Sequence, residues 1–147
     1  MSYTTAYLGV DPGQSGGFAI ITPGHDPYVV KMPETEKDIW DALAAFRIWH
    51  DSPVICALEA VHSMPGQGVA SSFKFGKGYG GLRMALIGLG IPFRDVRPQA
   101  WQKALGCLSG GDKRVTRSMA QQLFPSIKVT HAIADALLIA KWLSQQP

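Results

Sequence analysis

The sequence has few cysteines, no long hydrophobic run and none of the common signatures of nucleotide or peptide chemistry. No stretch approaches the roughly 18 apolar residues that cross a membrane, and the N-terminus lacks the basic-then-apolar pattern of a secretory signal. We therefore expect a soluble cytoplasmic protein without a membrane partner. Its two cysteines, Cys56 and Cys107, form neither a disulfide framework nor a CxxC metal pair, and we interpret them as small buried or incidental thiols.

No GxSxG, HExxH or P-loop pattern occurs, so the motifs give no support to a serine hydrolase, a zinc peptidase or a P-loop nucleotide hydrolase. We expect no small-molecule cofactor. A chain of 147 residues that is 46% hydrophobic can bury one good core, and no long linker divides it. The sequence therefore predicts a single domain over residues 1–147.

Acidic residues are scarce after residue 60. Residues 1–60 carry three basic side chains against eight acidic ones, whereas residues 61–147 carry eleven basic side chains against three acidic ones. The resulting net charges, −5 and +8, favour a polyanion-binding surface on the second part, where phosphate neutralisation would supply most of the affinity. The alternative is that these charges are scattered around the fold.

Apolar runs separated by Gly and Pro predict a meander of three strands, followed by alternating helices and strands. The predicted strands are residues 6–11, 17–21, 28–32, 54–59 and 93–96. The predicted helices, counted from their caps, are residues 35–50, 78–89, 98–105, 112–124 and 130–145. Residues 62–81, rich in Gly, Ser and Phe, fit no regular element and are expected to form a loop until a helix begins near residues 78–81. This order predicts an α/β fold, a mixed sheet with helices on both faces.

Carboxylates stand at the ends of two of these strands and inside the last helix. Asp11 ends the first strand and Glu59 the fourth, whose tips can lie side by side, while His131 and Asp135 are four residues apart on one helix face. Such a set is typical of a Mg²⁺ or Mn²⁺ site. Taken singly, Asp11 could be a turn former, Glu59 a harmless strand end and His131 a core or capping residue, but a buried Asp135 needs a partner.

In their order, these segments resemble the RuvC-like Holliday junction resolvases of the ribonuclease H superfamily, and among them the bacteriophage forms most. The resemblance covers nearly the whole chain. It rests on residues 9–13 with 15–17, residues 58–59, residues 66–69 with Phe73, Phe75 and Gly76, Pro98 with residues 101–103, residues 112–113, and residues 131–140. Sugar kinases and actin-like ATPases share the first segment, but they need two large lobes that 147 residues do not supply.

The resemblance implies a five-stranded mixed sheet, a homodimer and two divalent ions, Mg²⁺ or Mn²⁺, in each active site. It implies that Asp11, Glu59, His131 and Asp135 are the metal-binding catalytic set and that Lys113 lies near the scissile phosphate. The implied activity is structure-selective cleavage of Holliday junctions or other branched DNA, in the bacterial host cytoplasm for a phage-encoded protein. A non-catalytic branched-DNA-binding module on the same fold is the alternative.

Two features depart from the cellular members of this family. Those enzymes place the last-helix ligands three apart, often with Asp first, whereas His131 precedes Asp135 by four residues, so His131 is either a ligand or a proton carrier. They also have an aromatic residue soon after the strand-end glutamate, where this chain has Ala-Val-His at residues 60–62. A base-stacking role would pass to Phe73 or Phe75, whose alternative role is core packing of the loop.

Basic residues in and after the glycine-rich segment are candidates for phosphate contacts, and each is equally a candidate for an ordinary solvated charge. They are Lys74, Lys77, Arg83, Lys103, Lys113, Arg114 and Arg117. Because a junction presents two equivalent strands, a symmetric dimer suits its cleavage. Residues 82–89, with small Ala85 and Gly88, are a candidate interface, although this helix could equally be buried within one chain.

Overall fold

The apolar runs of the sequence form five strands within residues 3–49, 51–61 and 65–147, which are the residues that the computed structural model describes. The strands are β1 (Ala6–Asp11), β2 (Gly17–Ile21), β3 (Tyr28–Lys31), β4 (Val54–Glu59) and β5 (Phe93–Val96). Their order across the sheet is β3-β2-β1-β4-β5. The meander pairs are antiparallel, and β4 lies parallel to both β1 and β5, so the predicted mixed sheet is confirmed.

Five helices cover the two faces of this sheet in the described part of the chain. They are α1 (Glu36–Trp49), α2 (Val69–Gly88), α3 (Pro98–Ala104), α4 (Lys113–Leu123) and α5 (His131–Ser144). None of these helices is both long and apolar enough to cross a membrane. The predicted end of α1 at His50 and the predicted loop residues 62–64 lie outside the described residues.

Polar side chains start the helices much as the sequence predicts. The Thr35 hydroxyl accepts a hydrogen bond from Asp38 N (3.1 Å) and donates to Asp38 Oδ2 (2.7 Å), a reciprocal arrangement close to a capping box. Asp112 Oδ1 accepts from Arg114 N (3.0 Å) at the start of α4. Thr130 occupies the N-cap position of α5, but its side chain makes no capping hydrogen bond.

The core has two layers because successive residues of a strand point to opposite faces of the sheet. Leu8 and Val10 of β1 face α1 and α2, in a cluster completed by side chains such as Leu43 and Leu86. Ala19 and Ala57 face the other layer, which α3, α4 and α5 supply. Cys56 and Cys107 are buried free thiols, one in each layer, as predicted.

Helix α5 packs very close to the sheet because the strand residues beneath it are small. A Cβ added to Gly9 would overlap the carbonyl oxygen of Ala136 and lie 2.5 Å from Ala140 N. A Cβ on Gly17 would lie 3.0 Å from the carbonyl oxygen of Ala132. Backbone therefore meets backbone along this contact, and the position of α5 over β1 is tightly determined.

The expected loop is wrong from Val69 onward, since α2 begins there and continues for 20 residues. Each interior glycine disfavours a helix by about 1 kcal/mol relative to alanine, which is why this glycine-rich segment is expected to be irregular. Packing overrides that propensity. Leu82, Ala85 and Leu86 are buried in the core, and Phe75 and Tyr79 lie on the same side of the helix. Phe73 and Phe75 are therefore helical residues rather than loop residues.

We predict that Gly9→Ala destabilises the protein by about 1–3 kcal/mol or more, because the new methyl group meets helix backbone that cannot move aside. Gly78→Ala is the matched control. A Cβ at Gly78 meets nothing within 4 Å, and alanine favours the interior of α2, so a gain of up to about 1 kcal/mol is expected. Urea unfolding of both variants measures the difference, and equal stabilities would contradict the close packing of β1 against α5.

Candidate active site at the strand tips

Asp11 is the last residue of β1 and points toward α5, like Gly9 two positions earlier on the same face. The turn that follows folds back over it. Gly13 has a positive φ of 103°, Gly16 N donates to Gly13 O at 3.1 Å, and a Cβ on Gly16 would overlap the Asp11 carbonyl oxygen. As a result the Asp11 side chain is only 8% exposed, although it lies at the end of a strand.

Glu59 ends the neighbouring parallel strand and points to the same face as Ala57. The β1–β4 register pairs Val10 with Leu58, so the next residues along the two strands are Asp11 and Glu59. Trp101 of α3, which is completely buried, donates a hydrogen bond from Nε1 to Glu59 Oε2 at 2.8 Å. The two acids predicted at strand tips are therefore adjacent and face α5.

Asp135 supplies the third carboxylate from the buried face of α5, where it is 5% exposed. Its Oδ2 accepts a hydrogen bond from Lys113 Nζ at 2.9 Å, at the first residue of α4. Its Oδ1 is buried and has no hydrogen-bond partner among the described residues. A buried carboxylate oxygen without a partner is unfavourable by about 1–3 kcal/mol, which points to a missing positive ligand.

The pKa values show that these side chains form one electrostatic cluster. Burial raises the pKa of Asp11 well above its ordinary value, and the charges of Glu59 and Asp135 raise it further. Burial also raises the pKa of Glu59 to about 7, against the opposing effect of the Trp101 hydrogen bond. Partial burial disfavours the charge of Lys113, but Asp135, Asp11 and Glu59 outweigh it and raise the lysine pKa. One ammonium group thus faces three carboxyl groups.

His131 lies at the first position of α5, one helical turn before Asp135, and its side chain is exposed. Its side chain makes no hydrogen bond or ion pair with another described residue. This position at the solvent edge is compatible with either predicted role, ligand or proton carrier, and both remain predictions.

As the side chains stand, no three His, Cys, Asp or Glu residues within the described ranges are arranged to hold a metal ion. The donor set nevertheless fits a divalent cation. Asp135 Oδ1 has no hydrogen-bond partner among the described residues, and Asp11 is buried beside two other negative charges. Trp101 binds only Oε2 of Glu59, so this bond does not involve Oε1. Trp101 and Lys113 each bind only one carboxylate oxygen, so the second oxygens of Glu59 and Asp135 are left for a divalent cation, which prefers oxygen ligands.

Several of the predicted phosphate-binding cations already have partners within the chain. Arg83 Nη1 lies 3.0 Å from Asp95 Oδ1, and its guanidinium also lies over the rings of Tyr79 and Phe93. This arrangement ties α2 to β5, so we interpret Arg83 mainly as a structural residue.

The remaining cations differ in how freely they could reach a phosphate. Lys77 lies 3.5 Å from Glu36, Arg114 pairs with Asp112 at 3.0 Å, and Arg117 Nε donates to Val129 O at 3.2 Å. Lys74 and Lys103 are exposed and form no ion pair with described residues. Each of these two lysines lines a surface groove. Lys74 lines a groove of about 700 Å³ beside the turn after Asp11, and Lys103 lines a groove of about 740 Å³ beside residue 60.

The two predicted stacking aromatics occupy different faces of α2. Phe75 is half-buried, and its ring lies 3.1 Å from where a Cβ of Gly13 would be, so it packs on the turn after Asp11. Phe73 is 74% exposed on the opposite side of the helix. Packing on the turn after Asp11 thus accounts for Phe75, whereas Phe73 is available to a partner molecule.

Trp101 is the site residue whose contact with Glu59 the sequence pattern did not reveal. Its position three residues after Pro98 predicts a helix, and nothing local links it to a residue 42 positions earlier. One signal was present: a buried indole N–H requires a hydrogen-bond acceptor.

No family model and no curated protein matches the sequence. Solved structures do match. Thermus thermophilus RuvC in complex with Holliday junction substrate is 19% identical, with a TM-score of 0.62, and the alignment covers 95% of this chain and 92% of that one. The chain has a RuvC-like fold. A second structure of Thermus thermophilus RuvC gives 21% identity, a TM-score of 0.61 and coverage of 95% and 93%.

We predict that, without metal, the free energy of unfolding falls as pH rises from about 4.5 to about 7, because of Glu59. The folded state keeps the Glu59 proton up to a pKa of about 7, whereas the unfolded chain releases it near the ordinary value of 4.5. The stabilisation from the Glu59 proton is fully present below the pKa of the unfolded chain and is lost as pH rises through the pKa of the folded state. The free energy of unfolding changes by on the order of 3 kcal/mol over this range.

Urea unfolding of the wild type and of Glu59→Gln across this pH range isolates that contribution. The glutamine variant retains an acceptor for the Trp101 N–H but has no proton to lose. The wild-type stability should therefore fall relative to the variant as pH rises. Parallel curves would show that Glu59 titrates as an ordinary carboxyl group.

Proposed function

We propose that this chain is a metal-dependent endodeoxyribonuclease that cuts four-way junctions and related branched DNA. The observation that carries the proposal is the cluster of buried Asp11 and Asp135 with partly buried Glu59 at the strand tips of a RuvC-like fold, with one lysine among them. A cluster of acids withdrawn from water weakens a structure, and a cation bound there would relieve that cost.

The proposed cofactor is a pair of Mg²⁺ or Mn²⁺ ions held by Asp11, Glu59 and Asp135, with His131 as a fourth ligand or as a proton carrier. When bound, such ions supply activated water for attack on phosphorus and stabilise the leaving oxygen. In hydrolysis the water oxygen forms a bond to phosphorus as the bond to the 3′ oxygen breaks, leaving a 5′-phosphate and a 3′-hydroxyl. No covalent intermediate on a protein side chain is required.

Each side chain of the cluster has a role that follows from its position. The ammonium group of Lys113, whose side chain is 64% exposed, can leave Asp135 Oδ2 for a phosphate oxygen at the mouth of the site. His131, exposed at the first turn of α5, can exchange a proton between solvent and the leaving 3′ oxygen. Buried Asp11 and Asp135 keep their carboxylates close together and away from bulk water.

The proposed DNA surface surrounds this cluster on the basic second part of the chain. Lys74 and Lys103 are exposed at grooves on either side of the strand tips, and Arg114 and Arg117 lie on α4 beside Lys113. The related Thermus thermophilus RuvC has been solved with a Holliday junction, which supports branched DNA as the substrate class. We propose that Phe73, rather than Phe75, stacks on a base exposed at the junction.

We propose further that the protein is a homodimer formed through the outer face of α2. Of the two alternatives for residues 82–89, burial within one chain holds for Leu82, Ala85 and Leu86, which lie in the core. On the opposite face, an exposed stripe repeats every three or four residues. The stripe consists of Val69, Phe73, Gly76, Gly80, Met84 and Ile87, of which residues 76–87 would form the interface and leave Phe73 for DNA. An exposed apolar stripe of this length is typical of a helix-mediated interface.

Three finer assignments belong to the same proposal. The four-residue spacing of His131 and Asp135 supports a bacteriophage-type enzyme acting in the host cytoplasm. Residues 1–147 form one nuclease domain, since both core layers share the single sheet described above.

We predict that Asp11→Asn lowers cleavage of synthetic four-way junctions by roughly 10³-fold or more while leaving junction affinity nearly unchanged, because the basic surface is intact. Asp51→Asn is the matched control, since Asp51 is exposed and precedes β4, at the opposite end of that strand from Glu59. Cleavage with Mg²⁺ or Mn²⁺ and gel-shift binding measure the two effects. Full activity in Asp11→Asn would refute the site. A wild type that binds junctions but never nicks them would indicate the non-catalytic module instead.

We predict that Ile87→Glu converts the dimer to a monomer, because a charge buried in an apolar interface is unfavourable by several kcal/mol. Ile48→Glu on α1 is the control, since Ile48 is also exposed but lies outside the stripe. Sedimentation equilibrium measures the mass of each variant. A wild type that sediments as a monomer, or an Ile87→Glu variant that remains dimeric, would reject α2 as the interface.

A further inference from the structure

We propose that Trp101 is a positioning residue of the active site, whose indole N–H holds the Glu59 carboxylate in the orientation that metal binding requires. This inference rests on the proposed function, because it assigns a role within the same cluster of acids. It concerns a residue outside the charged set, whose contribution comes from one hydrogen bond.

The contact between the two residues is short, and its donor is fully buried. Trp101 Nε1 lies 2.8 Å from Glu59 Oε2, near the short end of the range for an N–H···O bond. The indole is wholly buried in the core layer that also contains Ala57 and Val96. A bond from a neutral donor to a carboxylate is about twice as strong as one between neutral groups, and burial of the indole shields its N–H from competing water.

The helix that carries Trp101 is anchored to the same end of the sheet as Glu59. Glu59 pairs with Val96 in the β4–β5 ladder, and Ala60 N donates to Val96 O at 2.7 Å just beyond it. The chain then passes through Arg97 directly into α3, with Pro98 in the first turn. The donor therefore has a fixed position relative to the backbone of the acid that it holds.

The need for such a tether follows from the position of Glu59. A glutamate at the last residue of a strand has three rotatable side-chain bonds, and the charges of Asp11 and Asp135 repel its carboxylate from the cluster. A donor on one oxygen restrains that motion and leaves the other oxygen unoccupied by this bond. Groups that orient metal ligands in this way typically change metal affinity or activity by 10–100-fold when removed.

The simpler explanation is that Glu59 merely satisfies the hydrogen-bonding need of a buried indole. In that case the bond stabilises the fold, and its removal changes stability without changing the affinity for metal. The two explanations therefore differ in what Trp101→Phe does to metal binding in a protein that still folds. Phenylalanine keeps an aromatic ring in the core and removes only the N–H donor and part of the ring.

The test measures the binding of Mn²⁺ to DNA-free protein, either by calorimetry or from the electron paramagnetic resonance signal of free Mn²⁺. We expect Trp101→Phe to bind Mn²⁺ roughly 10–100-fold more weakly than the wild type. Trp142→Phe is the matched control, because Trp142 lies in α5, two turns beyond Asp135, and packs under Arg94. Its Mn²⁺ affinity should equal that of the wild type. Equal affinities for the wild type and Trp101→Phe would overturn the inference.

A second measurement covers a Trp101→Phe variant that fails to fold. In ¹H–¹⁵N spectra of the wild type, the assigned Trp101 indole resonance should shift when Mg²⁺ is added and should shift in Glu59→Gln, while that of Trp142 should not. A Trp101 indole resonance that does not shift when Mg²⁺ is added would overturn the inference. If the wild type bound neither Mn²⁺ nor Mg²⁺, the nuclease proposal itself would fail, which is a distinct outcome from equal binding by the wild type and Trp101→Phe.

Discussion

The direct packing of α5 on β1 is the contact on which the rest of the site depends. With glycine at position 9, helix backbone meets strand backbone, and no side chain separates them. Asp11, two residues further along the same face of β1, is thereby brought to the level of Asp135 on the helix. A methyl group at position 9 would push the helix away and separate the two carboxylates. A small residue in the core thus determines the spacing of the charged ones.

Burial of these acids opposes stability, and the surrounding groups relieve only part of the cost. Lys113 neutralises one charge and Trp101 donates one hydrogen bond, yet Asp11 and Glu59 still have pKa values raised chiefly by desolvation. A fold selected for stability alone would place leucine or alanine at such positions. Strain of this kind concentrates at functional sites, where a ligand of opposite charge removes it.

The parts of the fold that depend on local pattern were predictable. The five strands and the caps at Thr35 and Asp112 follow from runs of apolar residues and from capping chemistry. The adjacency of Asp11 and Glu59 was also predictable, because parallel strands of one sheet end at the same edge. Asp135 could be assigned because a buried acid in an apolar helix needs a partner.

The parts that depend on distant contacts were not predictable from local pattern. Helix α2 has four interior glycines before Leu82, and only packing of its inner face overrides their preference for a loop. The spacing of Phe75, Tyr79, Leu82 and Leu86 was the signal for that face, but the glycines between them concealed it. The bond from Trp101 to Glu59 and the pairing of Arg83 with Asp95 join residues 42 and 12 positions apart, beyond any local pattern.

Two glycines of α2, Gly76 and Gly80, can be explained when both faces of the helix are considered. Its inner face carries Phe75 against Gly13 of the turn after Asp11, and its outer face carries the apolar stripe of the proposed dimer. Gly76 and Gly80 lie in that stripe, where the lack of side chains allows two helices to approach closely. In the proposed dimer, one helix diameter, about 10 Å, would separate the turn after Asp11 from the two-fold axis. The proposed cleavage of both strands of a junction would require two rigidly spaced active sites, and that assembly would give Gly76 and Gly80 a role that local helix propensity does not.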